Sequence, residues 1–112
     1  MKYQTCVANT VNIYIAGDIS VAENTCRRYC DEQGFCVTVT PTNYIYKNGQ
    51  ETGMIVGLIN YPRFPLSSEE LFTHAHLIAE LLLQAMGQDT CTIQDMTESI
   101  RLVRDEAWED RK

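Results

Sequence analysis

An alternation of apolar and polar residues runs through the stretch from Phe35 to Asn60. It continues as far as Tyr46, where Lys47-Asn48-Gly49-Gln50 interrupts it, and an apolar run then extends from Glu51 to Asn60. Period-two alternation is typical of β-strands. Asn-Gly tolerates the positive φ angles of a tight two-residue turn. The pattern therefore predicts a β-hairpin, around which the rest of the chain is organised.

The position of the turn would fix which residues of the two strands pair. With Asn48-Gly49 as the loop, Tyr46 is expected opposite Glu51. Tyr44 is then expected opposite Gly53. Because side chains alternate across a strand, these four residues share one face. Two phenols, a carboxylate and a gap form a candidate site for a small cationic ligand, although ordinary solvated surface explains the same pattern.

Two helices are predicted, one on each side of the hairpin in the sequence, and each is followed by a glycine. The first, over 20–33, starts with the capping-box motif Ser20-Val21-Ala22-Glu23, and the second, over 67–86, starts with Ser67-Ser68-Glu69-Glu70. One face of the second helix carries the apolar residues expected in the core, namely Leu71, Ala75, Ile78, Leu82 and Met86.

Strands are also predicted within 3–16, at 90–93 and at 99–103. The resulting order, βαββαβ, predicts a ferredoxin-like α+β sandwich, in which two helices cover one face of an antiparallel sheet. Residues 1–105 would form this single domain, and 106–112 a charged C-terminal tail. The uncovered face would carry Ile55, Ile59, Gly53, Gly57 and Cys36. Such an apolar face predicts a homo-oligomer, with a trimer as the preferred state.

Composition and charge narrow the possible functions. The 112-residue chain is 45% hydrophobic and carries a formal charge of −6. It has no basic stripe of the kind that nucleic-acid binding requires, and no apolar run long enough to cross a membrane. The first ten residues do not resemble a signal peptide. Because five cysteines form no regular framework, a reducing cytoplasm is expected.

Residues that could bind a metal lack the required spacing. Cys26, Cys30 and Cys36 contain no Cys-x-x-Cys motif, so we interpret them as small buried hydrophobes. His74 and His76 lie two positions apart on the second helix, without an i,i+4 partner. His76 is expected in solvent and His74 at a subunit interface. We predict no metal site and no cofactor.

Several segments together resemble a known family. They are Val21-Ala22-Glu23 through Cys30, the run 36–42, Tyr44-x-Tyr46 and the run 49–53. This pattern is similar to the small phage-encoded S-adenosylmethionine (SAM) lyases, long called SAM hydrolases, over roughly residues 21–65. The resemblance implies a trimer similar to PII signalling proteins, with SAM bound between subunits and cleaved to methylthioadenosine and homoserine lactone. It also implies an anti-restriction role, because host methyltransferases would lose their methyl donor.

The resemblance also suggests roles for individual residues. The functional glutamate of the family would fall on Glu51, with Tyr46 and Tyr44 beside it, and Gly53 would belong to the same site. Arg63, in a proline-bounded connector, could hold a carboxylate, although a plain surface charge explains it equally well. Two other functions remain open: a non-catalytic trimer that senses or sequesters a nucleotide-like ligand, and a phage inhibitor of a host protein.

Overall fold

A five-stranded antiparallel sheet with two helices on one face makes up the fold, and the computed structural model describes residues 1–108. The strands lie in the spatial order β2-β3-β1-β4-β5. The elements are β1 (Thr10–Ala16), α1 (Ile19–Gln33), β2 (Thr38–Tyr46), β3 (Gly49–Ile59), α2 (Ser68–Met86), β4 (Thr90–Gln94), β5 (Ser99–Val103) and a single 3-10 turn at Asp105–Ala107.

The predicted ferredoxin-like fold is confirmed, and the sheet has one strand more than the predicted order. β5 coincides with the strand expected at 99–103, and it extends the sheet beyond β4 through the pairs Thr92–Arg101 and Cys91–Leu102. Ala107, within the predicted tail, is only 6% exposed, and the division into a domain of residues 1–105 and a tail remains a prediction. The remainder of that tail, 109–112, lies outside the described residues.

The two helices differ in how they begin. The capping box predicted for α2 is present: Glu70 N donates to Ser67 Oγ at 3.1 Å, and Ser67 N donates to Glu70 Oε1 at 3.0 Å. The one predicted at Ser20 is wrong, because Asp18 is the N-cap and its carboxylate accepts from Ser20 N at 2.8 Å. A carboxylate at this position satisfies the free amides and also interacts favourably with the helix dipole.

A single apolar core fills the space between the helices and the sheet. The helix-facing positions of β3, Met54, Val56 and Leu58, are fully buried, and Val37 and Val39 pack against the same core, all as predicted. Four residues of the predicted α2 stripe have no exposed surface, and the fifth is partly buried; in order they are Leu71, Ala75, Ile78, Leu82 and Met86.

The opposite side of the sheet, here called the open face, is covered by no element of the described chain. It contains Ile55 and Ile59, as predicted, and Ile59 is 45% exposed. It also contains polar residues that the prediction omitted, among them Asn12, Thr92 and Arg101. The face is therefore mixed in character. The predicted trimer remains a prediction.

His74 is not placed where the sequence suggested. Its Nδ1 lies 2.6 Å from the Tyr29 hydroxyl, and its ring stacks on Phe35 with centroids 4.4 Å apart. It therefore joins α2 to α1 within one chain, because the side chain points toward the neighbouring helix. His76 is partly exposed, as predicted, and its Nδ1 lies 2.7 Å from Glu80 Oε1.

The cysteines follow the prediction in part. Cys26 is buried and Cys30 is half-buried, as expected for small hydrophobic residues. Cys36 is exposed, because it lies just before β2 on the open-face side, and its thiol donates to the Tyr61 hydroxyl at 3.4 Å. Within residues 1–108, no group of three or more His, Cys, Asp or Glu side chains is placed to hold a metal ion.

Candidate active site

The hairpin turn consists of Lys47 and Asn48 instead of the predicted Asn48 and Gly49. Asn48 has a φ of 65°, and β3 already begins at Gly49, which pairs with Tyr46. A side chain at position 49 would collide with the Tyr46 ring, since a Cβ there would lie 2.6 Å from it. The tyrosine ring lies over the glycine, and this contact favours the observed register.

The observed register differs from the predicted one by two residues. Tyr44 pairs with Glu51, whereas Gly53 pairs with Thr42. Because side chains alternate along a strand, a shift of two residues leaves each one on its predicted face. Tyr44, Tyr46, Glu51 and Gly53 therefore still share the open face, although their pairs are not the predicted ones.

Glu51 and the two tyrosines form a small polar cluster. The Tyr46 hydroxyl donates to Glu51 Oε1 at 3.3 Å, and the Tyr44 hydroxyl donates to the Met54 carbonyl at 2.6 Å. Tyr44 is thus held by the backbone of β3. Tyr46 is 53% exposed, and its hydroxyl reaches the Glu51 carboxylate from the same face of the sheet. Glu51 is exposed, so its carboxylate is accessible to a cation.

The gap expected at Gly53 is already filled. A Cβ at this position would lie 2.4 Å from the Ile15 carbonyl oxygen, 2.6 Å from Ala16 Cα and 2.9 Å from the Tyr44 ring. The glycine therefore allows β1 and the tyrosine ring to approach closely, and the space that a side chain would occupy is taken by these neighbours. The Tyr44 ring therefore lies directly against the backbone at Gly53.

The polar cluster opens onto a groove of about 260 Å³ that runs across the open face. β1, β4 and β5 complete its walls with side chains that the hairpin pattern does not indicate, chiefly Tyr14, Thr90, Thr92 and Arg101. The Tyr14 hydroxyl donates to Gln94 Oε1 at 3.4 Å. The hairpin pattern gave no information about these strands. The predicted strand at 99–103 was the signal that could have placed Arg101 on this face.

Both tyrosines of the cluster remain protonated at neutral pH. Loss of hydration and the negative charge and hydrogen bond of Glu51 raise the pKa of Tyr46. Burial raises the pKa of Tyr44. Their hydroxyls therefore act as hydrogen-bond donors, and their rings as neutral surfaces of the kind that attract cations. Carboxylate and guanidinium groups give the groove charges of both signs.

Arg63 is not part of this group within one chain. It is exposed in the connector that follows β3, at the end of the strand opposite the hairpin turn. The strand from Glu51 to Ile59 alone spans about 27 Å. Of the predicted site residues, the fold places four close together: Tyr44, Tyr46, Glu51 and Gly53.

Comparison with solved structures identifies the fold. A phage SAM lyase in complex with S-methyl-5′-thioadenosine superimposes with a TM-score of 0.64 and 12% sequence identity, covering 94% of this chain and 96% of the other. A phage SAM lyase in the apo state gives 0.63 and 14%, covering 87% and 90%. This chain has the fold of the phage SAM lyases.

The SAM lyase fold extends well beyond the segments that carried the sequence resemblance, which ended near residue 65. No protein-family model matches this sequence, and no curated protein sequence matches it. The fold evidence is therefore structural. Among the described residues, no helix is both long and apolar enough to span a membrane.

Proposed function

We propose that this protein is a SAM lyase that converts S-adenosyl-L-methionine to 5′-methylthioadenosine and L-homoserine lactone. The observation that carries the proposal is the fold match, over 94% of the chain, to a phage SAM lyase that was solved with S-methyl-5′-thioadenosine. The Glu51 cluster supports it independently, because it places a carboxylate and two aromatic rings in one groove. Such a site suits a ligand with an ammonium and a sulfonium group.

The proposed reaction requires no general acid and no general base from the protein. A carboxylate oxygen of the substrate attacks its own γ-carbon, and the bond between that carbon and sulfur breaks. The electron pair of this bond passes to sulfur, so that the sulfonium leaves as a neutral thioether. The new carbon–oxygen bond closes the lactone ring. No proton is transferred, and no external nucleophile or cofactor is consumed.

What the site must supply is a folded substrate and a shielded environment. Correct orientation of reacting groups can contribute on the order of 7–11 kcal/mol. Glu51 binds the substrate ammonium and so directs the amino-acid chain back toward sulfur. Tyr44 and Tyr46 lie beside it, where an aromatic ring can attract the sulfonium by roughly 0.5–2 kcal/mol.

The size of the groove favours a site completed by a second chain. Its volume is about 260 Å³, whereas ligand pockets usually enclose roughly 300–1,000 Å³. The exposed Ile59 and its neighbours on the open face supply apolar surface for association. In the proposed enzyme, three copies assemble in a PII-like trimer and bind SAM between subunits. Acting in the cytoplasm of an infected host, it removes the methyl donor on which restriction systems depend.

Product analysis in ¹⁸O-labelled water tests the proposal. The protein is incubated with SAM, and the products are identified by mass spectrometry against a protein-free control, since SAM also decomposes slowly by itself. A lyase releases unlabelled lactone. Any homoserine formed later from that lactone carries ¹⁸O in its carboxyl group, whereas direct attack of water at the γ-carbon places ¹⁸O in the side-chain hydroxyl.

The same experiment separates the alternatives. A sequestering protein binds SAM and returns it intact, which would contradict the proposed lyase activity. An inhibitor of a host protein also leaves SAM intact, and it forms a stoichiometric complex with that protein whether position 51 is Glu or Gln. If ¹⁸O appears in the side-chain hydroxyl, SAM remains the substrate, but the reaction is a hydrolysis and the proposed lyase reaction is wrong.

A further inference from the structure

The groove has a second charged end, formed by Arg101 on β5. Thr92 pairs with Arg101 on one side and with Tyr14 on the other, and Tyr14 pairs with Ile55. These four residues form a row across the open face. Arg101 lines the same groove as Glu51 and is exposed. Arg101 lies on β5, the strand that the predicted βαββαβ order does not include.

The backbone positions of Glu51 and Arg101 lie far apart on the open face. β3 and β5 are separated by three strand spacings, about 14 Å in total. Glu51 also lies four residues along β3 from Ile55, the member of the row on that strand, which adds about 13 Å at right angles. The ammonium and carboxylate of an amino acid are attached to the same carbon. A ligand that reaches both ends of the groove must therefore present two different parts of its structure.

We infer that Arg101 binds the adenosine end of the substrate while Glu51 binds its amino-acid end. This assignment rests on the proposed function. The sulfonium lies between the two ends of SAM, and Tyr14 lies between the two ends of the groove. A guanidinium is suited to adenosine because its plane stacks on a purine ring and its N–H groups donate to ring nitrogens and ribose hydroxyls. Thr92, the pairing partner of Arg101, places a further hydroxyl in the groove.

Binding of 5′-methylthioadenosine isolates this end of the site, because that molecule retains the adenosine and lacks the ammonium and carboxylate. Its affinity is measured by calorimetry for the wild-type protein and for Arg101→Met and Arg101→Lys. Arg101→Met keeps an apolar stem on an exposed strand position and is expected to weaken binding at least tenfold. Arg101→Lys keeps the charge without the planar group, and its affinity should lie between those of the wild type and Arg101→Met.

Two further variants serve as controls. Arg28→Met removes the same charge from an exposed position of α1, on the opposite side of the sheet, and should leave binding unchanged. Glu51→Gln should change the affinity for methylthioadenosine less than twofold. With SAM as substrate, Arg101→Met should raise KM more than it lowers kcat, since Arg101 positions a part of the substrate that does not react.

The outcomes distinguish this inference from the proposed function. If Arg101→Met binds methylthioadenosine as tightly as the wild type, Arg101 does not hold adenosine, even if wild-type protein cleaves SAM. If wild-type protein binds methylthioadenosine through Arg101 but leaves SAM intact, the inference stands and the lyase proposal fails. If wild-type protein does not bind methylthioadenosine, the inference is overturned.

Discussion

The two faces of the central sheet are made by the same strands and have opposite character. Along β3, Leu58 faces the helices and has no exposed surface, whereas its neighbour Ile59 faces the other way and is 45% exposed. Within the described residues, the buried side chains are apolar except for the Tyr29 hydroxyl and the thiols of Cys26 and Cys91. The open face carries Glu51, Tyr44 and Arg101. Stability and candidate chemistry therefore occupy alternate positions of one sheet.

This separation has a physical consequence for mutagenesis. Side chains on the helix face are close-packed, so removing atoms from them leaves cavities that cost free energy of unfolding. Side chains on the open face in a single chain are partly solvated, and their replacement changes stability little. The protein can thus be altered on one face at a time.

The largest effect is expected from Leu58→Ala. Loss of this fully buried side chain should lower the free energy of unfolding by about 2–5 kcal/mol, as measured by urea denaturation. The adjacent change, Ile59→Ala, should cost less than about 0.5 kcal/mol in a single chain. Equal losses in a monomeric sample would contradict the contrast between the faces.

Ile59→Ala also reports on association. If the open face is buried between copies in solution, this variant should weaken the oligomer, and its apparent stability should depend more steeply on protein concentration than that of the wild type. Sedimentation velocity at several concentrations measures this directly. If the protein remains monomeric at all of these concentrations, the predicted trimer is wrong.

Glu51→Gln should reduce turnover of SAM strongly without affecting the fold. A hydrogen bond to a charged group contributes about 1.5–3 kcal/mol, which corresponds to roughly a 10- to 150-fold loss in kcat/KM. The melting temperature should not change, because Glu51 is exposed near the end of the hairpin. Glu32→Gln, at an exposed position of α1, is the matched control. Wild-type rates in Glu51→Gln would remove this residue from the mechanism.

The same contrast explains which parts of the fold could be predicted from sequence. Helix α2 was predicted within one residue at its start and at its observed end, because Ser67 and Glu70 form a local cap and Gly87 follows its last residue. The hairpin turn was displaced by one residue, since Asn48 tolerates a positive φ in either register. The contact of the Tyr46 ring with Gly49 favours the observed register, and a sequence pattern does not reveal this contact.

The candidate site was predicted where it depends on one hairpin and missed where it depends on the whole sheet. Tyr44, Tyr46 and Glu51 come from adjacent strands, so alternation alone placed them on one face. Tyr14 and Arg101 come from β1 and β5, whose positions in the sheet follow from long-range pairing. The helix-face pattern of buried apolar residues is the same for several strand orders, and it does not specify which open-face residues become neighbours.

Alkaline pH should destabilise the helix face through its buried thiols. Burial raises the pKa of Cys91 from 9.0 to about 12 and that of Cys26 from 9.0 to about 11. Below pH 9 both folded and unfolded chains keep these protons. Above it, the unfolded chain releases them first, so the free energy of unfolding falls as pH rises, by up to about 1.4 kcal/mol per pH unit for each thiol.

Cys91→Ala isolates one of these contributions. Its stability at pH 8 should be lower than that of the wild type, because a buried atom is removed. Between pH 8 and about pH 10.5, however, its stability should decline by about 1–2 kcal/mol less than that of the wild type. Urea denaturation at both pH values measures the two slopes. Parallel slopes would mean that the Cys91 thiol is already ionised or accessible in the folded protein.

Among the changes that act on catalysis, the smaller effect is expected from Tyr46→Phe on the open face. This change removes only the hydroxyl that donates to Glu51 Oε1 at 3.3 Å and keeps the ring that covers Gly49. A single hydrogen bond of this kind contributes about 1 kcal/mol, so kcat/KM for SAM should fall about fivefold. Tyr3→Phe, at a tyrosine that is 91% exposed near the N-terminus, should leave it unchanged. If Tyr46→Phe keeps full activity in Glu51-containing protein, the hydroxyl does not orient the carboxylate, and the aromatic ring alone would account for a tyrosine at this position.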